Sequence, residues 1–353
     1  MTKVKIYGAG SIGNHYAYAC YKKGWKITVI DKDPNALIRM KKKIFPSRYG
    51  FWDKKIDLTT IDGNEYFDIV IVGTPPSSHL EIAEKNLKLK KKPKIIQVEK
   101  PLCTPDLRNL KRFEKAKKKS PSVQIFGGYN HLLTKNTILA EKILKNENFK
   151  DVLGINSFNN EEWSAIFKAH FWLNSPQDSY LGFSKKGGGA LCEHSHGLAA
   201  CLHYMKYLNL GKINKVWSKM NIIKKNKLFY DQISLLTLET NKGILGTVSQ
   251  DTITKPAEKK LRIQFANGFL ETYVNYKNNL DAVIYECNNK KKEYFIKKKR
   301  PDDFKGLVNH LERAKINKNT EKISPICIDR SIEIMKIIKA AFISNKTKRE
   351  IKI

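Results

Sequence analysis

The chain has 353 residues, 41% of them hydrophobic, and a formal net charge of +32, a length that suits two domains with a core each. No apolar run reaches the roughly eighteen residues of a membrane helix, and no signal-peptide pattern precedes the first β-run, so the chain reads as cytoplasmic with no membrane partner. The excess charge is lysine spread over the whole chain, as at 41–43, 90–92, 117–119 and 297–299; sequence-specific DNA readers focus arginine on one element, so only weak, salt-sensitive polyanion binding is expected and no specific nucleic-acid partner.

Val4, Ile6 and Tyr7 form a short β-run. Gly8, Gly10 and Gly13 follow in G-x-G-x-x-G spacing, then a helical pattern over 12–22 and a second β-run over 27–30 that ends in Asp31. Strand, glycine turn, helix and strand-end acid together are the context in which this motif binds a dinucleotide. The first glycine allows the tight turn, the second lets amides near a pyrophosphate, and the third lets helix and strand lie close. The helix start, Ser11 and Ile12 included, offers free N–H groups to the anion. Asp31 can accept from ribose hydroxyls and repels a 2′-phosphate, which favours NAD; Lys32 beside it keeps NADP open.

Pro34 opens a helix over 35–44 that should stop before Pro46, and 47–64 reads as irregular apart from a short segment at 58–61. The nearly all-apolar run 68–72 fits a parallel strand covered on both faces. It leads into Thr74, Pro75, Ser77, Ser78 and His79, where a serine can cap the next helix. The run 95–98 ends in Glu99, Lys100 and Pro101. A helix is expected from Pro105 to about 118, a strand over 123–126 running into Tyr129, Asn130 and His131, and a helix over 136–144. This alternation predicts a doubly wound parallel sheet, with ligands beyond the carboxyl ends of its strands. Gly8, Asp31, Thr74, Glu99 and His131 all fall at such ends.

The second half differs. A strand over 152–158 is followed by an aromatic-rich loop holding Trp163, His170 and Trp172, then Gly187, Gly188 and Gly189 and a helix over 190–208. A series of β-runs without helices follows, which predicts an α+β domain with an open, largely antiparallel sheet. Two helices, near 304–314 and 328–344, end the chain. The expected division is 1–130 and 131–353, with the last helix able to pack back on the first domain. The six cysteines, Cys20 to Cys327, contain no C-x-x-C pair and suit thiols in a reducing compartment.

Several stretches together resemble the glucose–fructose oxidoreductase, inositol dehydrogenase and rhizopine-catabolism family, Gfo/Idh/MocA. They are VKIYGAGSIG, DIVIVGTPPSSH, QVEKPL, GGYNHLL, KKGGGALCEHSHG and the C-terminal AAFISNKTKREIKI. The resemblance spans nearly the whole chain. It implies an N-terminal Rossmann domain that binds NAD or NADP through Gly8, Gly10, Ser11, Ile12, Gly13, Asp31, Thr74, Pro75, Ser78, His79, Glu99 and Lys100. It implies a cis bond before Pro101, a C-terminal substrate domain that often forms oligomers through its sheet, and reversible oxidation of a secondary alcohol on a sugar, polyol or nucleotide-sugar.

Lys100 follows four β residues at a strand end, where an ammonium can hydrogen-bond the reacting oxygen and take part in proton transfer. Glu193 and His196 are three apart and would share a face of one helix. The family usually has aspartate at the position of Glu193 and histidine four residues on, where this chain has Gly197. Ser195 and His196 resemble a serine–histidine variant, which gives His196 the acid/base role and Glu193 a supporting one. Tyr129, His131, Trp163, Trp172 and His194 are candidate substrate contacts, with core burial as the competing reading for each aromatic. No metal site is expected, since His194 and His196 diverge on a helix and no third ligand is evident. Two other functions share these motifs: an enzyme that retains NAD and uses transient oxidation to drive cleavage or elimination, and a non-catalytic dinucleotide or sugar sensor.

Overall fold

In the computed structural model, residues 1–278, 280–299 and 301–353 are described. They divide into two compact units: 1–103 with 108–130 and 301–331, and 104–107 with 131–300 and 332–353.

The first unit is a six-stranded sheet in the order β3-β2-β1-β4-β5-β6, parallel throughout. Its strands are β1 (Lys3–Tyr7), β2 (Lys26–Ile30), β3 (Ile56–Thr59), β4 (Ile69–Val72), β5 (Ile95–Val98) and β6 (Gln124–Gly127). All four residues of β4 and of β5 are buried, as a sheet covered on both faces requires. Each such Val or Ile contributes about 1.5–3 kcal/mol by leaving water. The helices between are α1 (Ser11–Tyr21), α2 (Pro34–Arg39), α3 (Phe45–Tyr49), α4 (Pro76–Leu87) and α5 (Leu110–Lys118). The order reverses between β1 and β4, the switch point at which such sheets take their ligands.

Three local expectations are corrected in this unit. Helix α2 does not stop before Pro46, because a π-turn over Met40–Ile44 joins it to α3. Pro46 sits in the first turn of α3, where its missing N–H costs little. The stretch expected to be irregular contains β3, the sheet's edge strand, in which only Ile56 is buried. Helix α5 begins at Leu110 rather than at Pro105, because Leu107 (φ 62°) and Asn109 (φ 64°) are left-handed and interrupt a right-handed helix.

The second unit is a nine-stranded sheet in the order β14-β13-β12-β11-β7-β10-β9-β8-β15. Its strands are β7 (Val152–Asn160), β8 (Ile213–Lys225), β9 (Leu228–Thr240), β10 (Leu245–Asp251), β11 (Glu258–Phe265), β12 (Gly268–Tyr273), β13 (Leu280–Cys287), β14 (Lys290–Lys297) and β15 (Ile351–Lys352). β7 and β10 pair in parallel and the other neighbours antiparallel. The hairpins β8–β9 and β13–β14 turn on Asn226-Lys227 and Asn288-Asn289, all with positive φ, as two-residue hairpins of this hand need. The unit's helices are α6 (Lys135–Asn146), α7 (Ser164–Ala169), α8 (Ala190–Glu193) and α9 (His196–Tyr207). The inner face of the sheet carries Ser157, Asn159, Leu261 and Thr272. The C-terminal helix packs there, with Ser218 N donating to Ser344 Oγ (2.9 Å).

The single helix expected over 190–208 is two helices, α8 and α9, broken at His194 and Ser195. At the break the His194 carbonyl accepts from Gly197 N (3.1 Å) in a tight turn and from the Asn159 amide (2.7 Å). Glu193 and His196 therefore do not share one helix face.

Candidate active site

Around the first glycine turn the chain leaves room for a ligand. Gly8 has φ +101°, and a Cβ on it would lie 2.7 Å from the Gly73 carbonyl oxygen. A Cβ on Gly13 would lie 1.8 Å from the Gly8 oxygen, so α1 packs directly on its own turn. Gly10 is different: a Cβ there meets nothing within 4 Å. Ser11 and Ile12 open α1 beside that space. Asn14 braces the turn by donating to the Gly10 carbonyl (2.8 Å). Asp31 accepts from Ala9 N on one oxygen (2.9 Å) and Asp33 N on the other (3.0 Å), and each oxygen retains a lone-pair direction for a ribose hydroxyl. The donor set, the open approach at Gly10 and the helix N-terminus fit a dinucleotide's pyrophosphate and ribose.

One cation beside this turn escaped the sequence reading. Arg48 on α3 donates to Ser11 Oγ (2.8 Å) and to the Ser11 carbonyl (3.0 Å). It reaches them because the π-turn continues the helix past Pro46, which sequence patterns give no sign of.

The remaining candidates of this unit gather at two neighbouring turns. Ser78 Oγ donates to Thr74 Oγ1 (2.8 Å) and to the Pro75 carbonyl (2.9 Å). His79 is buried, and its ring nitrogens face the carbonyls of Pro101 (2.9 Å) and Thr74 (2.6 Å). Burial outweighs those acceptors and pulls its pKa down to about 4. As a neutral ring it donates to one of these two carbonyls at a time while packed between the β4–α4 turn and the Lys100–Pro101 turn. The Lys100–Pro101 bond is cis. Glu99 is buried; its carboxylate accepts from Tyr16 OH (2.5 Å) and from Lys100 N (3.2 Å). Burial, reinforced by that carboxylate, raises the Tyr16 pKa well above its usual value, so Tyr16 remains a donor. Glu99 thereby fixes the backbone that presents Lys100, itself half-buried at the carboxyl end of β5. Tyr129 is only 1% exposed, a core position within this unit.

In the second unit His131 and His196 come together, their rings stacked with centroids 4.0 Å apart and planes 17° from parallel. They line one cavity of about 50 Å³ with Asn159, Tyr204 and Lys259. Ser157 Oγ donates to the Gly197 carbonyl (2.9 Å), and a Cβ on Gly197 would lie 2.9 Å from the Asn159 Cβ. The family's usual histidine would occupy that crowded position; here the imidazole sits one residue earlier, at the start of α9. Glu193 accepts from Tyr180 OH (3.0 Å). His194 is buried, its carbonyl engaged by Asn159. Trp163 stacks on Tyr230 at 4.9 Å and belongs to the core. Trp172 is half-exposed, edge-on to His170 at 5.1 Å.

The sequence reading also missed Asp231. It is fully buried on β9 and accepts from Leu191 N (2.6 Å), Ser234 Oγ (2.8 Å) and Ser184 Oγ (3.1 Å). A Cβ on Gly189 would lie 1.9 Å from Asp231 Oδ1. Burial raises its pKa to about 6 against the pull of these donors. The one sequence signal is an acid inside an alternating strand. Among the described residues no group of His, Cys, Asp and Glu side chains could hold a metal ion.

Residues 2–127 match the model of the oxidoreductase family with an NAD-binding Rossmann fold, Gfo/Idh/MocA. That match lies almost wholly within the first unit of the 353-residue chain. The cofactor of that fold is NAD, which the Gly8–Asp31 site accommodates. Three solved structures share this two-unit architecture over nearly the full chain. Levoglucosan dehydrogenase, in complex with NADH and levoglucosan, superposes with TM-score 0.77 at 17% identity, covering 100% of this chain and 99% of its own. GenD2 from gentamicin A biosynthesis, in complex with NAD, gives 0.73 at 15%, covering 100% and 96%. The WlbA dehydrogenase of Bordetella pertussis, with NADH and UDP-GlcNAcA, gives 0.71 at 15%, covering 99% and 98%. These likenesses establish the fold. No curated protein matches the sequence.

Proposed function

We propose that this protein is an NAD-dependent oxidoreductase acting on a secondary alcohol of a sugar, polyol or nucleotide-sugar. The observation that carries the reading is Lys100: a half-buried ammonium at the carboxyl end of β5, on a backbone held by Glu99 and packed at Pro101 against His79. Bound NAD would supply the hydride acceptor or donor. The residues supply the rest. Gly8, Gly10, Ser11, Ile12, Gly13 and Asp31 hold the dinucleotide, and Thr74, Pro75 and Ser78 border it. Lys100 hydrogen-bonds the reacting oxygen, His196 takes or returns the hydroxyl proton, and Glu193 supports the substrate. His131, packed on His196, fixes the plane of that ring, and His194 shapes the backbone under it.

No helix among the described residues is long and apolar enough to cross a membrane. Together with cysteines that form no disulfide among those residues, this supports a cytoplasmic setting. A homo-oligomer through the outer face of the nine-stranded sheet is part of the proposal. Trp217 (43%), Leu235 (46%) and Leu245 (52%) are exposed there, on strands whose other face is core.

The test is reduced-nicotinamide absorbance with NAD and a panel of sugars, inositols and nucleotide-sugars. A rise that Lys100→Ala abolishes while NAD still binds supports the reading. A flat trace from NAD-loaded protein moves the weight to an enzyme that retains its cofactor or to a sensor.

A further inference from the structure

We infer that the substrate is an acidic sugar, and that the cavity beside His196 receives its carboxylate. This rests on the oxidoreductase reading above and adds the substrate class.

Leu132, Phe158, Leu261 and Val274 form an apolar part of the cavity wall, and the polar part carries cations and hydrogen-bonding groups. His131, His196, Lys259, Asn159, Thr272 and Tyr204 face it, and no Asp or Glu is among the described residues that line it. A lysine-rich surface does not account for this. The Lys259 side chain is only 15% exposed, and it sits opposite Asn159 in the β7–β11 register, on the sheet face that underlies α9. Its neighbour Lys260, at the cavity edge, lies over the Phe158 ring (5.0 Å). Lys259 is held in place by Glu161 (2.6 Å), a carboxylate that does not line the cavity. A second carboxylate, from a ligand, would complete a charge-assisted bridge.

Two further features have the same sign. Burial pushes the Tyr204 hydroxyl pKa far up, so it stays a neutral donor, close to the hydroxyls of Thr137 and Thr272. The N-terminal turn of α6, a twelve-residue helix, contributes Asn136 and Thr137 to the lining, so its positive dipole end is near. The other charged or titratable groups close by are Glu141, whose charge also raises the Tyr204 pKa and which is held by His203 (2.7 Å), Glu193, bound to Tyr180, the buried His194, and Glu258, paired with Lys260 (3.1 Å).

Size chooses among anions. A cavity of about 50 Å³ has room for a few water molecules. A planar carboxylate fits, with the sugar ring outside it; a diphosphate does not.

The experiment titrates NAD-loaded protein with d-glucuronate, d-glucose and d-glucose 6-phosphate, following the His131 and His196 ring resonances by NMR and affinity by calorimetry. Glucuronate should shift both rings and bind roughly tenfold or more tighter than glucose or the phosphate ester. Lys259→Met should remove that preference, Lys259→Arg should restore most of it, and Glu161→Gln, which releases Lys259, should strengthen it. Equal or tighter binding of glucose, ring shifts that are absent with glucuronate, or a Lys259→Met variant that keeps the preference would each overturn the inference. Tighter phosphate-ester binding would reassign the cavity to phosphate and overturn it too. The oxidoreductase reading fails separately: glucuronate would bind as described while no sugar or sugar acid reduces NAD.

Discussion

Each unit of this protein has a glycine-rich turn that opens a helix, and the two turns are used in opposite ways. At Gly8–Gly13 the space above the second glycine is open; a Cβ on Gly10 meets nothing within 4 Å. At Gly187–Gly189 the space is filled from within. A Cβ on Gly188 would lie 2.2 Å from the Tyr180 carbonyl oxygen, and one on Gly189 would lie 1.9 Å from the Asp231 carboxylate. Asp231 then accepts from Leu191 N (2.6 Å), the position an anionic ligand would take at a helix start. The first turn is kept for an external anion and the second carries the protein's own. A glycine motif thus says that backbone comes close to something; a residue elsewhere in the chain decides to what.

The largest effect should separate the chemistry from both turns. Lys100→Ala should lower turnover by about 10²–10⁴-fold with NAD affinity nearly unchanged, read by steady-state kinetics beside a binding titration. If NAD binding collapses as well, Lys100 is a structural part of the cofactor turn.

The contrast itself breaks or stands on two alanines. Gly189→Ala places a methyl against a buried carboxylate in a left-handed residue (φ +86°) and should cost about 3 kcal/mol or more in denaturant unfolding. Gly10→Ala, at φ −75°, should leave stability within about 1 kcal/mol yet weaken NAD binding at least severalfold. Equal destabilisation by both would erase the distinction.

The two units should also answer pH with opposite signs. Buried His79, with its pKa lowered from 6.5 to about 4, contributes stability that is present above pH 6.5 and lost as pH falls toward 4. Buried Asp231, raised from 3.8 to about 6, contributes stability that is complete below 3.8 and lost as pH rises through 6. Each has a ceiling of about 3 kcal/mol, and they offset one another in the wild type. Unfolding from pH 4 to 7 should therefore show a shallower acid loss in His79→Asn and a steeper one in Asp231→Asn. Parallel curves for the two variants would refute the pairing.

The smallest effect concerns Arg48. Its guanidinium meets the cofactor turn at Ser11, so Arg48→Met should weaken NAD about three- to tenfold and leave unfolding nearly unchanged. A change in stability alone would make it a brace between α3 and α1.

What the sequence made legible follows from range. The first unit's strands, glycine turn and strand-end residues depend on local patterns, and β1, β2, β4, β5 and β6 lie close to where apolar runs place them. β3 was seen only as a short segment at 58–61, because only Ile56 of its four residues is buried, which leaves little pattern to read. The π-turn that continues the helix through Pro46 has no signature, and Arg48 was lost with it. In the second unit the break at His194 is met by Asn159, and the seat of the triple glycine depends on Asp231. Both partners are more than 30 residues away in sequence, and no periodicity reports them. The stacking of His131 on His196 was hidden for the same reason.

The most direct test of the central claim is reduced-nicotinamide absorbance from the NAD-loaded wild type and Lys100→Ala, each given paired neutral and acidic sugars. The account predicts a rise in the wild type with a sugar acid and none in the variant. A trace that stays flat with every sugar, or a rise that survives Lys100→Ala undiminished, would contradict it.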